Sequence, residues 1–236
     1  MTAPLYPAKP RPGDRVAVLS PSSGLPGLFP LPYELRLRRL RDDFGLEAVE
    51  YELTPASAYR DVDRPWEEPH TFETEPDMEP AEGWSWHNAD RVVEGAGWGG
   101  SLETLSWLLM ADRTVQPAVS YSGNVLFLET SEEMPGAQEV YRILRSMGER
   151  GLLKEFPALL MGRAKSWSFD NPLTAPEKAH FRSQQREAVL RALHEYAPDT
   201  MAVFDIELGH TDPQVVIPVG GRIRVDGPAR RVVVTY

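Results

Sequence analysis

A stretch without regular patterning, from Thr54 to Trp86, divides this chain of 236 residues into two unequal parts. The stretch is rich in Pro, Glu, Asp and Trp, and its apolar residues follow neither helical nor strand spacing. Structureless segments of this length are unusual inside a compact domain and are commonly functional loops or linkers. The sequence therefore predicts an N-terminal α/β unit over residues 1–53, a linker or extended loop over 54–86, and a C-terminal domain over 87–236.

Charge and composition argue against several classes of function. Lys and Arg total 25 against 35 Asp and Glu, which opposes a nucleic acid partner because phosphate backbones are bound by basic patches. No stretch is apolar enough to span a membrane, and residues 1–12 lack the apolar core of a signal peptide. The absence of cysteine excludes disulfides, thiolate catalysis and Cys-based zinc sites. We therefore expect a cytoplasmic protein with neither a nucleic acid nor a membrane as its partner.

The N-terminal part begins like a βαβ unit. Arg15–Ser20 predicts a buried strand, a helix with Gly45 as its C-cap follows, and Glu47–Leu53 predicts a second strand. This order favours a parallel sheet, whose two faces are normally both covered. Because one βαβ unit cannot cover both faces, we predict self-association or partial disorder over roughly residues 1–80.

Regular patterning resumes near Asp90 and continues to the end of the chain. A turn is predicted at Trp98-Gly99-Gly100-Ser101, with Ser101 as the N-cap of a helix, and residues 215–236 alternate like antiparallel strands. The other predicted elements are the strands Arg91–Gly95, Asn124–Glu129, Ala158–Met161 and Met201–Phe204, and the helices around Val140–Met147 and Pro176–Tyr196.

Two residues in this part are suited to acid–base chemistry. Glu129 ends the strongest apolar strand, where α/β folds commonly place functional groups, and such a carboxylate can orient a histidine. His210 lies in a tight loop after a strand and has a side-chain pKa near the working pH of a general base. From spacing alone, a solvated strand-end acid and a surface-loop histidine are equally consistent with these positions.

The remaining histidines do not have metal-ligand spacing. His70 and His87 lie in or near the Pro- and Trp-rich stretch, and His180 and His194 lie on the long helix; we expect all four to face solvent. We predict no metal and no cofactor, since no HExxH, P-loop or GxGxxG pattern is present. The segment Trp98-Gly99-Gly100 either brings backbone close to a ligand beneath an aromatic lid or is simply a tight turn.

Taken together and in order, several segments resemble the serine LD-carboxypeptidases, which include the microcin-immunity peptidases. The resemblance covers the first fifty or so residues and almost all of the C-terminal part. The segments are PGDRVAVLSPS from Pro12, WGGSLE from Trp98, VLFLETSEE from Val125, LLMGR from Leu159, and GHTDPQ from Gly209 with the following IPVGG.

The resemblance implies an α/β fold, with a truncated Rossmann-like βαβ remnant and a C-terminal domain of mixed β-structure with flanking helices. Glu129 and His210 match the family's triad glutamate and base. The implied ligands are murein tetrapeptides of peptidoglycan recycling or microcin-like peptidyl nucleotides, and a homodimer is a possible assembly. The residues expected to bind substrate are Trp98, Gly99, Gly100 and Arg163.

The chain departs from the family at the nucleophile, because the family's GYSD turn and the glycine-rich loop before it are missing. We infer an internal deletion with its join near Glu50 and Tyr51. Ser22, Ser23 and Ser101 do not lie in a strand-to-helix elbow that would expose a nucleophilic hydroxyl, and each fits a turn or cap better.

The sequence therefore predicts a family member with little or no peptidase activity, because triad residues act as a unit. Two alternatives stay open. One is a non-catalytic module that binds peptide or nucleotide, with Trp84, Trp86 and Trp98 available to stack on a base. The other is an artefactual or decayed gene product, which resequencing the locus would identify.

Overall fold

The computed structural model describes residues 10–16, 38–48, 50–65 and 67–235. The strands in this part of the chain are β1 Arg15–Val16, β2 Glu47–Ala48, β3 Glu50–Leu53, β4 Ala58–Tyr59, β5 Glu79–Pro80, β6 Ser85–His87, β7 Val92–Ser101, β8 Val125–Glu129, β9 Ala158–Gly162, β10 Met201–Ile206, β11 Arg222–Asp226 and β12 Arg231–Thr235. The α-helices that follow β3 are α1 His70–Glu73, α2 Leu102–Ala111, α3 Ala137–Glu149 and α4 Ala175–Tyr196.

Eight of these strands form one mixed sheet, in the order β3-β12-β11-β7-β8-β9-β10-β6. The central strands β7, β8, β9 and β10 are parallel, and each is joined to the next by a helix. The flanking pairs are antiparallel. The α/β fold with mixed β-structure and flanking helices is confirmed.

The two faces of the parallel strands bury different apolar clusters. Helices α2, α3 and α4 pack on one face, where they meet Leu126 and Leu128 of β8. Val125 and Phe127 of the same strand belong to the second cluster, together with apolar residues of the β11–β12 hairpin. This division follows from the alternation of side chains along a strand, and it predicts that Glu129 shares the face of Phe127.

Local sequence signals explain where the helices begin. Ser101 caps α2 by accepting a hydrogen bond from the Thr104 backbone N–H, as predicted. A reciprocal capping box between Thr174 and Glu177 starts α4, whose predicted extent is confirmed to within one residue. The apolar residues predicted for α3 all face the core: Val140, Ile143, Leu144 and Met147.

The turn predicted at Trp98–Ser101 is wrong, because β7 continues through these residues and pairs with β8. Glycine there permits close packing of two strands and does not mark a chain reversal. A Cβ on Gly99, whose φ is +143°, would lie 1.8 Å from the carbonyl oxygen of Phe127. An uninterrupted strand at this position therefore requires glycine.

The single strand predicted over Glu47–Leu53 is also wrong, because it is two strands in different sheets. β2 pairs with β1 in a small parallel sheet, whereas β3 pairs antiparallel with β12 at the edge of the large sheet. Residues 38–42 between β1 and β2 are helical, in agreement with the βαβ start. Ser22 and Ser23, and the predicted strand residues 17–20, lie outside the described residues.

The segment 54–86 is largely irregular and is fastened to the C-terminal domain by buried polar contacts. The Asp61 carboxylate, buried completely, accepts hydrogen bonds from the Ser166 backbone N–H at 3.0 Å and from the Ser166 hydroxyl at 2.6 Å. Lys178 and Arg182 of α4 lie 3.6 and 3.8 Å from the same carboxylate. Buried charges are tolerated when paired in this way, so the segment is held in place by specific contacts.

The histidines outside the candidate site are exposed, as predicted: His70, His87, His180 and His194. Among the described helices, none combines the length and hydrophobicity needed to cross a lipid bilayer. The antiparallel structure predicted over residues 215–236 is confirmed for the β11–β12 hairpin, whose turn follows Asp226.

Candidate active site

The two residues predicted for acid–base chemistry, Glu129 and His210, meet at the carboxyl ends of the parallel strands. Ser101 at the end of β7 is in register with Glu129 at the end of β8. Gly162 ends the neighbouring strand β9, and the His210 loop follows β10 a few residues further on. This edge of a parallel sheet is where α/β proteins commonly place their sites.

Glu129 and His210 are in direct contact. The Glu129 Oε2 lies 2.8 Å from the His210 Nδ1, although the two residues are 81 positions apart in sequence. The Glu129 carboxylate is largely buried, whereas 40% of the His210 side chain is exposed. A buried carboxylate against Nδ1 fixes the orientation of the imidazole ring and stabilises its charged form.

Two glycines make room for this contact. Gly209 has a φ of +102°, and a Cβ there would lie 2.7 Å from both the Cβ and the Oε2 of Glu129. A Cβ on Gly162 would lie 3.1 Å from the Glu129 Cβ and 2.3 Å from the Leu208 carbonyl oxygen. The glycines that flank the predicted site residues are thus required by the approach of the histidine loop to β8.

The histidine loop is also held from its other side. Arg60 and Asp212 form an isolated antiparallel β-bridge, in which the backbone N–H of each residue donates to the carbonyl oxygen of the other. The Arg60 guanidinium also donates from Nε to the Asp212 carboxylate at 2.8 Å. Segment 54–86 therefore contributes to the site by fixing the loop that carries His210.

The second ring nitrogen of His210 faces another carboxylate. His210 Nε2 lies 2.9 Å from Glu132 Oε2, in the loop that follows β8. The contact with Glu132 is an ion-pair distance and not a hydrogen bond, so Glu132 acts on the imidazole ring through its negative charge. The Glu129 hydrogen bond raises the pKa of His210 above its usual value; burial lowers it, and the charges of Glu129, Glu132 and Glu103 raise it further.

Glu103 organises the loop that presents Glu132. Its buried carboxylate accepts hydrogen bonds at 2.8 Å from both the backbone N–H and the hydroxyl of Ser131. The Ser101 hydroxyl donates to the same carboxylate at 3.3 Å. Both serine hydroxyls at this edge of the sheet are therefore engaged by Glu103, and in the described part of the chain no hydroxyl is hydrogen-bonded to His210.

The predicted substrate-binding residues Trp98, Gly99 and Gly100 line a pocket next to Ser101. Its volume is about 240 Å³, and its other wall is formed by α2 and by residues near Val115 and Val219. The Trp98 ring packs inside the protein against Tyr121 and Phe156, with ring centroids 4.6 and 5.6 Å away. The pocket is therefore lined by the glycine backbone of β7 on one side and mainly by apolar side chains on the other.

The other two tryptophans considered for stacking are occupied by the fold. Trp84 and Trp86 pack partly buried against the second apolar cluster, and the Trp84 indole N–H donates to Glu207 at 2.8 Å. Neither ring lines the pocket beside Trp98.

Arg163, the remaining predicted substrate-binding residue, is not brought together with Glu129 and His210. It is only 4% exposed, donates to the Asp205 carbonyl oxygen at 3.1 Å, and lies 3.4 Å from Glu207. Gly162 faces Glu129, and since consecutive residues of a strand point to opposite faces, Arg163 points toward α4.

Glu132 and Glu103 are the residues that sequence reasoning missed. Glu132 lies in an irregular loop, and no periodicity fixes where its side chain points. Glu103 carries a detectable signal, because it lies in the first turn of α2, two residues after the N-cap, where acidic residues are favoured. The described residues contain no group of three or more His, Asp or Glu side chains arranged to hold a metal ion.

Comparison with solved structures shows the same fold. An MccF-like protein from Streptococcus pneumoniae, in complex with AMP, matches with a TM-score of 0.64 and 22% identity over 87% of this chain and 58% of that protein. The microcin C7 self immunity protein MccF, in complex with glutamyl sulfamoyl guanosine, matches with a TM-score of 0.62 and 16% identity over 88% and 56% of the two chains. An MccF-like protein from Bacillus anthracis gives a TM-score of 0.59 and 15% identity over 87% and 56%.

The chain spans less than two thirds of the length of each of these proteins. A search of the curated proteins gave no match. The family model of the LD-carboxypeptidase C-terminal domain matches residues 94–225, which include Glu129, His210 and the parallel strands that position them. This match covers more than half of the chain, and the chain therefore belongs to the LD-carboxypeptidase C-terminal domain family.

Proposed function

We propose that this chain binds a peptide or peptidyl nucleotide of the kind that LD-carboxypeptidase and MccF-like proteins act on, and that it hydrolyses this ligand weakly or not at all. The observation that carries the proposal is the contact of His210 with two carboxylates. Glu129 occupies Nδ1 at 2.8 Å, and Glu132 occupies Nε2 at 2.9 Å.

In a serine hydrolase triad, Nε2 must be free to take the proton of the serine hydroxyl. Glu132, 2.9 Å from Nε2, stands where that hydroxyl would have to approach, and its charge favours the protonated ring, which has no lone pair to accept the proton. Glu132 is 61% exposed and can leave when a ligand arrives. Even then, the described residues offer no hydroxyl in hydrogen-bonding contact with His210, which agrees with the missing nucleophile turn.

The ligand class is supported by the relatives and by the pocket beside Ser101. The solved relatives contain AMP and glutamyl sulfamoyl guanosine, so proteins of this fold bind nucleotides. In this chain the pocket lined by Trp98, Gly99 and Gly100 adjoins the strand end that carries Glu129. A mainly apolar pocket with a few polar groups is typical of small-molecule sites, and it suits the base portion of a peptidyl nucleotide.

The test is release of D-alanine from a murein tetrapeptide by the purified chain, compared with His210→Ala and Glu132→Ala. We expect all three proteins to give the same background rate, because the reaction lacks its nucleophile. Removal of Glu132 frees Nε2 without supplying a serine, so this variant separates a blocked base from an absent nucleophile. Release that disappears in His210→Ala would refute the proposed inactivity.

A second candidate is a binding module with no hydrolytic role, favoured by the intact pocket beside Trp98. Calorimetric titration with AMP and with a murein tetrapeptide tests it, using Leu108→Ala as the altered protein. Leu108 is a partly exposed residue of α2 that lines the pocket, so its truncation removes pocket contacts without opening the core. Saturable binding weakened by this change supports the module, and absence of heat with both ligands counts against it.

Three further expectations from the sequence belong to this proposal: a role in peptidoglycan recycling or microcin immunity, a cytoplasmic location, and a homodimeric state. Exposed apolar side chains on α2, Trp107 and Met110, are consistent with a subunit contact. Sedimentation velocity measures the oligomeric state, and a monomer at high concentration would exclude the homodimer.

A further inference from the structure

A second pocket lies on the α4 side of the sheet, away from the Glu129–His210 pair. Its volume is about 120 Å³. Arg163 reaches it from the end of β9, Arg182 and Arg186 reach it from α4, and Asp205 and Tyr59 complete the wall. Three guanidinium groups therefore line a pocket to which the proposed peptide chemistry assigns no role.

The acidic partners of these arginines lie at long distances. Arg163 is 3.4 Å from Glu207, and Arg186 is 3.4 Å from Asp205. Strong charge-assisted hydrogen bonds between guanidinium and carboxylate are about 2.7–2.9 Å long. The contacts in this pocket therefore leave much of the guanidinium hydrogen-bonding capacity unused.

Arg182 has a similar environment. It lies 3.8 Å from the Asp61 carboxylate, which is already hydrogen-bonded to Ser166, and it donates to the Ser166 hydroxyl at 2.8 Å. Asp205 and Glu82 are the acidic residues of the pocket wall, against three arginines. Because Glu207 and Asp61 also lie against Arg163 and Arg182, the pocket offers an anion guanidinium donors and no net positive charge.

One buried donor in the pocket has no acceptor. The Nε of Arg163 is inaccessible to solvent in a residue that is 4% exposed, and it makes no hydrogen bond within the described residues. Buried donors are hydrogen-bonded in the great majority of cases, and because this atom has no accessible surface, an anion in the pocket would reach it only after the Arg163 side chain shifts.

The guanidinium groups are also held in place before any ligand arrives. The Arg163 and Arg182 guanidinium carbons lie 4.5 and 5.4 Å from the centre of the Tyr59 ring. These cation–π contacts restrict two flexible side chains and so reduce the entropy lost on binding.

We propose that this arginine pocket binds a small oxyanion, either free phosphate or the terminal phosphate or carboxylate group of a small molecule. The planar guanidinium fork matches both groups in a two-bond arrangement. The volume is well below the roughly 300 Å³ of pockets that enclose drug-sized ligands, so it suits a single anionic group.

The test is calorimetric titration of the full chain with inorganic phosphate and, separately, with acetate at low ionic strength. Arg186→Gln removes a partly exposed wall residue and should weaken anion binding about tenfold or more, the effect of one charge-assisted hydrogen bond. Asp205→Asn removes the competing carboxylate and should strengthen binding roughly tenfold. Asn is suited to this position because it tolerates the residue's φ of +65°.

Arg145→Gln, an exposed position on α3, is the matched control and should leave anion binding unchanged. The opposite signs expected for Arg186→Gln and Asp205→Asn distinguish a binding role from general loss of structure. Saturation by phosphate alone or by acetate alone supports the pocket and identifies its preferred anion. Absence of binding by both, or equal affinities in wild type and both variants, would overturn the proposal.

His210→Ala should not alter phosphate binding, because the pocket and the Glu129–His210 pair share no contact within the described residues. Loss of anion binding in the arginine pocket variants therefore says nothing against the proposed peptide or nucleotide ligand. Conversely, hydrolysis that depends on His210 would refute the proposed inactivity and leave the oxyanion pocket in place.

Discussion

Replacing Gly209 by alanine tests whether the glycines beside the site exist to let His210 reach Glu129. The new Cβ would lie 2.7 Å from the Glu129 Cβ, an atom too close to the backbone to move away freely. The left-handed φ of +102° costs roughly 1–2 kcal/mol for a residue with a Cβ, and overpacking costs typically 1–3 kcal/mol more. We therefore expect a loss of roughly 2–5 kcal/mol in the free energy of unfolding.

Gly123→Ala is the matched control, because its φ of +81° is also left-handed but no atom lies within 4 Å of the added Cβ. Urea unfolding of both variants separates the backbone cost from the clash, and we expect Gly209→Ala to be less stable than the control by about 1–3 kcal/mol. The displaced carboxylate should also lower the pKa of His210 toward its ordinary value. Equal stabilities, with an unchanged pKa of His210, would refute this account of the site.

Three other predictions concern stability. The pKa of His210 is raised in the folded state, so protonation of His210 should stabilise the fold. This stabilisation should be fully present below pH 6.5 and should disappear as the pH rises through the folded-state pKa. The melting temperatures of wild type and His210→Gln should therefore converge at higher pH. Asp61→Ala should cost about 1–3 kcal/mol in urea unfolding for each donor left unpaired, because it removes the acceptor of the buried Ser166 backbone N–H and hydroxyl, whereas Asp77→Ala, whose carboxylate is 96% exposed in its pair with Arg64, should cost at most about 1 kcal/mol. Glu103→Ala should cost about 1–3 kcal/mol and make the loop around Ser131 more sensitive to limited proteolysis, and equal cleavage rates would contradict its supporting role.

The Glu129–His210 pair was predictable only because the segments around the two residues resemble those of a known family. Gly162 and Gly209 appear in the sequence as parts of recognisable segments, and the structure shows why each must lack a side chain. The strand that ends at Glu129 was predictable for a simpler reason, since every residue of Val125–Glu129 is buried and apolar until the last. The contact itself depends on residues 81 positions apart, and short-range patterns carry no such information.

Other features were beyond local reasoning because they depend on a neighbouring strand or segment. In the sequence Gly99 and Gly100 suggest a turn. The structure shows that Gly99 is needed for a different reason, which is the close approach of the Phe127 carbonyl oxygen on the neighbouring strand. Glu47–Leu53 forms two strands because its first residues pair with β1 and its last residues pair with β12. The orientation of Arg163 was accessible, because alternation from Gly162 places it on the face opposite Glu129.

The change of sheet between Ala48 and Glu50 falls beside the position where the sequence predicts an internal deletion. β2 belongs to the small parallel sheet, and β3 already belongs to the sheet that carries the site. Sequencing the gene from independent isolates would test the predicted deletion. An uninterrupted GYSD-type segment at this position would contradict it.

Whether Glu129 and Glu132 together raise the pKa of His210 and favour its protonated form can be measured by ¹⁵N NMR titration of the His210 ring nitrogens. We predict that both nitrogens are protonated at pH 6.5, with a pKa above that value that falls in Glu132→Ala and falls further in Glu129→Gln. His210→Gln assigns the signals. A pKa at or below 6.5 that does not respond to Glu132→Ala would contradict this prediction and leave His210 available as a general base.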